Sequence, residues 1–143
     1  MIDFGHHEAR YLALLNRQLM KQLEKELTPL ELGPGNYLYL YSLSIHDGRK
    51  QQELADIIGV DKAATTRALS RLERDGFVRR ETDQIDRRAT RVYLTKKARK
   101  LRPQLEAAAI ATTTILNGAL DSNEQQELRR LLAKMAQPFM LPS

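Results

Sequence analysis

Lys62, Arg67, Arg71 and Arg74 fall in one short stretch together with Ala63, Thr66 and Ser70, and Glu73 is the only acid among them. Advanced at about 100° per residue, these positions line one side of a helix, while Ala64, Thr65, Ala68, Leu69 and Leu72 line the other. A solvated helix face usually mixes both signs of charge. Cations separated only by small and hydroxyl side chains favour an anionic partner, with an ordinary exposed face as the bland alternative. A second basic group follows at Arg87 and Arg88, where Asp86 is placed to hold Arg88 by a charge-assisted hydrogen bond. Other chemistry has little to work with. The chain has no cysteine, which excludes disulfides, thiolate zinc sites and thiol oxidation sensors. His6 and His7 are adjacent, His46 stands alone, and none has a spaced partner for a metal site, so no metal or cofactor is expected. No glycine-rich phosphate loop, elbow serine or paired carboxylates suggest an enzyme.

The elements that would position these cations can be read from their punctuation. Gln51–Ile58 places Leu54, Ile57 and Ile58 on one side of a short helix, and Gly59 supplies the left-handed cap that ends it, with Val60 packing back. Asp61 then caps a second helix expected over residues 62–75, stopped at Gly76. A short helix, a glycine turn and a longer basic helix form a helix-turn-helix, whose second helix enters the major groove of a duplex N-terminus first. After Gly76 the period becomes strand-like. Phe77 and Val78 begin one run, and Val92 and Leu94 alternate with Arg91 and Tyr93 in another. The loop between them, residues 83–89, carries Arg87 and Arg88 near its tip. Such a ribbon is a wing, and an arginine on it reads minor-groove width and potential.

At this point the pattern is specific. Gln52, Glu53, Leu54 and Ala55, then Val60, Asp61 and Lys62, then Thr66, Arg67, Leu69, Leu72, Glu73 and Gly76 resemble the MarR family of winged-helix transcriptional regulators. Asp86, Arg87 and Arg88 followed by Val92, Leu94 and Thr95 resemble that family's wing signature. The chain departs from the pattern at Gln84 and Ile85, where the family often has proline nearby, and at Ala98, where it often has glycine. The resemblance spans nearly the whole chain. It implies a homodimer built on the leading and closing helices, and small aromatic or anionic effectors bound between those helices and the winged lobe.

The remaining sequence supplies the helices such a dimer needs. The 143 residues, 42% hydrophobic and 29% charged, suit one soluble domain, with no apolar run of membrane-spanning length and no leader, so a cytoplasmic location is expected. The net charge of +5 hides a segregation: residues 61–102 hold 14 Lys or Arg against 6 Asp or Glu, and the remainder nets −3. Positive charge is thus concentrated on the proposed reader. A helix over residues 6–27 carries Leu12, Leu15, Leu19, Leu23 and Leu27 as a stripe, closed by Thr28 and Pro29. Thr95 caps another through Leu101, Leu105, Ala108, Ala109, Thr112, Leu116 and Ala119, which Pro103 should bend. Ser122 with Gln125 resembles a capping box for a last helix bearing Leu128, Leu131, Leu132 and Met135, before a tail of Phe139, Met140 and Leu141. These stripes are either satisfied within one chain or form a dimer interface.

Pro34–Ile45 differs, because Tyr37, Leu38, Tyr39, Leu40, Tyr41, Leu43 and Ile45 leave no polar face, as in a buried central helix. Its tyrosines, Tyr37 and Tyr41 foremost, are core residues or the wall of an effector pocket.

The expected architecture is mainly α with a small β-hairpin wing. It is one domain over residues 1–143, with a winged helix-turn-helix DNA-binding lobe at 34–95 and helical dimerisation regions at 5–28 and 96–137. The expected function is a sequence-specific regulator, a repressor on a palindromic operator in double-stranded DNA. The reading from another class is a winged-helix module for protein association.

Overall fold

The computed structural model describes residues 4–140, so Leu141 of the expected apolar tail lies outside the described residues. Seven α-helices and one hairpin follow in the order α1 (Glu8–Leu27), α2 (Pro34–Ile45), α3 (Gln51–Ile58), α4 (Lys62–Arg74), β1 (Val78–Thr82), β2 (Thr90–Leu94), α5 (Lys96–Arg99), α6 (Arg102–Asn117) and α7 (Ser122–Ala136). The expected mainly helical fold with a two-stranded wing is the one observed. β1 and β2 are antiparallel, with Val78 opposite Leu94 and Arg80 opposite Val92. The segment before α3 adds a short bridge to this ribbon, because Lys50 pairs with Arg91 and Val92 N donates to Arg49 O at 2.9 Å.

The core lies where α2, α4, the hairpin and α6 meet. Leu40, Leu43, Leu54, Leu69, Leu72 and Val92 are completely buried there, and Leu27 and Leu105 attach α1 and α6 to the same cluster. Burial of such side chains contributes about 1.5–3 kcal/mol each. The inner side of α4 is therefore the part of the basic helix that fastens it to the body.

Several boundaries follow the caps that the sequence shows. Gly59 ends α3 at φ +77°, Asp61 opens α4, and Thr95 Oγ1 accepts from Ala98 N at 3.3 Å to start α5. Others differ. The helix expected from Thr95 onward is broken rather than bent: α5 stops at Arg99, and α6 begins at Arg102 with Pro103 in its first turn. A proline there forgoes only an N–H that has no helical partner anyway. The box before α7 is formed one residue earlier, by Asp121 with Glu124, whose backbone and side chain exchange bonds of 2.9 and 3.0 Å. α1 starts at Glu8, capped by His7 Nδ1 accepting from Ala9 N at 3.2 Å.

Two burial expectations are also corrected. Ile57 is 55% exposed because the short α3 buries Leu54 and Ala55 instead. On α2, Leu38 is 47% and Ile45 65% exposed, with Tyr41 half-buried between them. This helix packs on α1, α3, α4, α6 and β2, and Tyr41 rests against the core cluster while Leu38 and Ile45 stay exposed.

The turn between α2 and α3 has little room for a side chain at its glycine. Gly48 has φ +76°, and a Cβ added to it would lie 2.8 Å from Tyr93 Cε1, whereas a Cβ on Gly59 would meet open space. Both positions charge an alanine for the left-handed conformation, about 1–2 kcal/mol. Gly59→Ala should cost about that much in urea unfolding, and Gly48→Ala should cost clearly more because it must also displace the ring.

Candidate nucleic-acid interface

α4 holds its cations outward because its cap and its inner face fix its direction. Asp61 Oδ1 accepts from Ala64 N at 2.6 Å, satisfying a free N–H of the first turn. On the inner side, Thr65 is fully buried and accepts from the Tyr39 hydroxyl at 3.3 Å. On the outer side Lys62, Ala63, Arg67, Ser70, Arg71 and Arg74 are exposed. Thr66 is half-buried and more constrained than its neighbours. Its hydroxyl donates to Lys62 O at 2.9 Å and accepts from Gln51 Nε2 at 2.8 Å, so the two helices of the motif are joined through it.

Glu73, the one acid of this face, is turned toward the wing. It accepts from Arg80 N at 2.9 Å and from Arg80 Nη2 at 3.0 Å, and the same guanidinium nitrogen donates to Ser70 Oγ at 3.1 Å. The Arg80 side-chain bond is the main cause that holds the Glu73 carboxyl below its usual range. Arg80 is mostly covered and Glu73 is exposed, so the pair acts mainly as a strut between helix and strand. Arg74 lies 3.6 Å from Asp75 with both side chains exposed, a contact too wet to withhold its charge.

The wing loop is built around Asp83, which is only 4% exposed. Its Oδ1 accepts from Ile85 N at 2.8 Å and Asp86 N at 3.3 Å, and its Oδ2 accepts from Arg91 Nε at 2.8 Å. Arg91 Nη1 donates onward to Gly48 O at 2.7 Å, tying the loop to the turn before α3. The Ile85 N–H, aided by the Asp86 N–H and by Arg91, holds the Asp83 carboxyl below the usual carboxylate range against the cost of desolvation. Asp86 does something other than expected: its Oδ1 accepts from the backbone N of Arg88 at 3.1 Å and not from the guanidinium. A carboxylate two residues before an N–H closes a local turn more readily than it captures a long, solvated side chain. Arg87 and Arg88 are exposed and neither pairs with a carboxylate among the described residues.

A hollow of about 120 Å³ joins these parts. Lys50 at the start of α3, Lys62 at the start of α4 and Arg88 of the wing all line it, with Gln51, Thr65 and Thr90 beside them. α4 and the wing therefore open onto one side of the molecule.

Tyr37 and Tyr41 sit elsewhere. Their rings stack at 5.5 Å, Tyr37 is buried, and its hydroxyl donates to Leu105 O at 3.5 Å. Burial, with Tyr41 close by, pushes the Tyr37 phenol up to about 12. Lys50, Gln51, Arg80 and Arg91 were not among the expected site residues. Each works through a partner distant in sequence, Gln51 with Thr66 and Arg91 with Gly48, so no local spacing marks them.

A glycine-capped helix pair with a basic outer face, flanked by an arginine-tipped hairpin, defines a winged helix-turn-helix protein. Known proteins agree. The family model described as MarR family matches residues 32–90. The chain is 28% identical over 126 residues to the uncharacterized HTH-type transcriptional regulator YybA of Bacillus subtilis (strain 168), covering 88% of this chain and 84% of YybA. It is 32% identical to a MarR transcriptional regulator from Methanosarcina mazei Go1, with a TM-score of 0.80 over 91% of this chain and 94% of the other. A mutant MarR from E. coli, solved in complex with operator DNA, is 26% identical with a TM-score of 0.79, over 89% and 91% of the two chains. The chain belongs to the MarR family of transcriptional regulators.

Because the folded Asp83 carboxyl titrates below its unfolded counterpart, its contribution is complete above the unfolded value of about 3.9. That contribution is lost as pH falls through the lower folded value. Acid titration followed by amide NMR should show the Ile85 and Asp86 N–H signals losing protection in that acid range while the α4 signals persist, and Asp83→Asn should loosen the loop at neutral pH.

Proposed function

We propose that this regulator is a homodimeric, sequence-specific DNA-binding repressor that occupies a palindromic operator. The observation that carries the reading is the common opening of Lys50, Lys62 and Arg88, three cations from three elements, onto one hollow. Lys62, Ala63, Thr66, Arg67 and Ser70 face the major groove, Thr66 with its hydroxyl set by Gln51. Arg71 and Arg74 lie nearer the phosphates. Arg88, with Arg87 beside it, enters the minor groove from a loop whose turn Asp86 closes.

Residues 34–95 serve as the DNA-binding lobe, and residues 5–28 and 96–137 join two subunits. Supporting this, Leu12 and Leu15 of α1, Ile110 and Ile115 of α6, and Leu131, Leu132 and Met135 of α7 are all exposed in one chain. A cleft of about 470 Å³ lined by Leu12, Leu15, Leu19, Leu116, Leu128 and Leu132 lies between the three helices. Apolar surface on this scale is characteristic of an interface. A two-fold pair would set two copies of α4 about 34–36 Å apart, one turn of the duplex. Repression follows from occlusion of a promoter, in the cytoplasm, and a small aromatic or anionic effector would act by altering the spacing of the readers. Of the tyrosine pair, Tyr41 is the half-buried one and Tyr37 the buried one, so such a molecule would reach Tyr41 first.

Anisotropy titrations on duplexes selected from random sequence test the reading; binding to no duplex would favour the protein-association module instead. Arg88→Ala should weaken binding by about 1–3 kcal/mol. Arg74→Ala should lower the salt slope by about one unit on every sequence. Leu15→Glu, which sets a charge in the apolar cleft, should sediment as a monomer where the wild type sediments as a dimer.

A further inference from the structure

Ile85 stands at the tip of the wing and is 95% exposed, the most open large apolar side chain among the described residues. It gains nothing for the folded chain there. Its backbone, in contrast, is held firmly: its N–H is bound by the buried Asp83, Asp83 N donates to Ala89 O at 2.9 Å, and Arg91 anchors the same carboxylate to Gly48. The loop spends four hydrogen bonds on presenting this residue in a fixed direction. Asp86 follows, its carboxylate turned back onto the Arg88 backbone N–H, and then Arg87 and Arg88, both exposed and without carboxylate partners among the described residues. An isoleucine so presented beside two cations does not resemble a loop residue free to turn away from solvent.

Resting on the DNA-binding reading above, we infer that Ile85 is an apolar minor-groove contact that makes the wing selective for A·T base pairs. The two arginines bring the tip to the groove, and the branched side chain fills the space between the sugar walls. Guanine carries an N2 amino donor on the groove floor, and adenine and thymine show only acceptors there. An apolar group pressed over that amino would clash with it and leave its donor without water or protein to accept it. Over an A·T pair the floor is lower and no donor is stranded. Apolar side chains of this size serve in other proteins as minor-groove wedges.

This contact has a signature that a cation cannot give. Arginine contacts release counterions and set the salt slope; an apolar contact releases none. The experiment uses the full chain on a selected duplex in which the pair beneath the wing is A·T, G·C or inosine·C, inosine being guanine without the N2 amino group. Wild type should bind the A·T and inosine·C duplexes equally and the G·C duplex more weakly. Ile85→Ala should weaken A·T binding roughly tenfold at every salt concentration, less than full burial of three apolar carbons would give because a groove contact leaves part of the side chain in water. The salt slope should be unchanged and the discrimination against G·C largely gone. Its thermal melt should match wild type, since the side chain packs on nothing. If wild type binds and Ile85→Ala neither weakens binding nor loses the base preference, the inference is overturned alone, and the side chain serves a protein partner instead. A weaker variant with a reduced salt slope would also overturn it, because the effect would then run through the arginines. Failure of wild type to bind any duplex would remove the underlying reading and this inference together.

Discussion

The Asp83 carboxylate sits almost wholly out of water and takes hydrogen bonds from two backbone amides and one guanidinium. A buried carboxylate is costly unless its lone pairs are met, and meeting them fixes the path of the loop. Everything distal to it, including Ile85, Arg87 and Arg88, is aimed by that one group. Through Arg91 the same group reaches Gly48, where a tyrosine ring leaves no room for a side chain. The wing is thus not an independent hairpin laid beside the helix-turn-helix. It is tied through β2 by the Lys50–Arg91 bridge and the Val92 N–Arg49 O bond, from its loop by Asp83 through Arg91, and along β1 by the Arg80 contact with Glu73.

A related constraint explains how so basic a surface folds. Cations crowded on one face repel one another, and the simplest relief is to salt-bridge them to nearby acids. Here, among the described residues, Asp75 and Glu81 pair only with Arg74 and Arg79, and four other acids of this region are employed in the framework. Asp61 caps α4, Glu73 meets Arg80, Asp83 organises the loop and Asp86 closes a turn on the Arg88 amide. Each carboxylate satisfies a structural donor and leaves Lys62, Arg67, Arg71, Arg87 and Arg88 uncommitted. The unrelieved repulsion is tolerable in high-dielectric solvent and is the attraction available to a polyanion.

What the sequence revealed, and what it hid, divides by range. Caps and turns depend on residues within a few positions, so Gly59, Asp61, Thr95 and the extent of the hairpin were legible. The one-sided chemistry of α4 was legible for the same reason, since helical periodicity is local. Even so, local rules competed at Pro103, which opens α6 instead of bending a longer helix, and before α7, where the box forms at Asp121 with Glu124 and not at Ser122 with Gln125. Contacts between elements were not legible. The Gln51–Thr66 bond, the Arg80–Glu73 strut and the Arg91–Gly48 tether join residues that no periodic pattern relates. Burial was misjudged at Ile57, Leu38 and Ile45 because composition says that a residue is apolar, not whether anything lies opposite it.

None of the residues of α7 is buried. Fifteen residues are near the lower limit at which a helix holds together alone in water. Under the proposed dimer, an element with no interior of its own would take its order from the second subunit, and by mass action that cover would thin as the protein is diluted. In a cell holding few copies, the shape of the carboxyl-terminal end would then depend on abundance, making the protein's own expression level an input to its form.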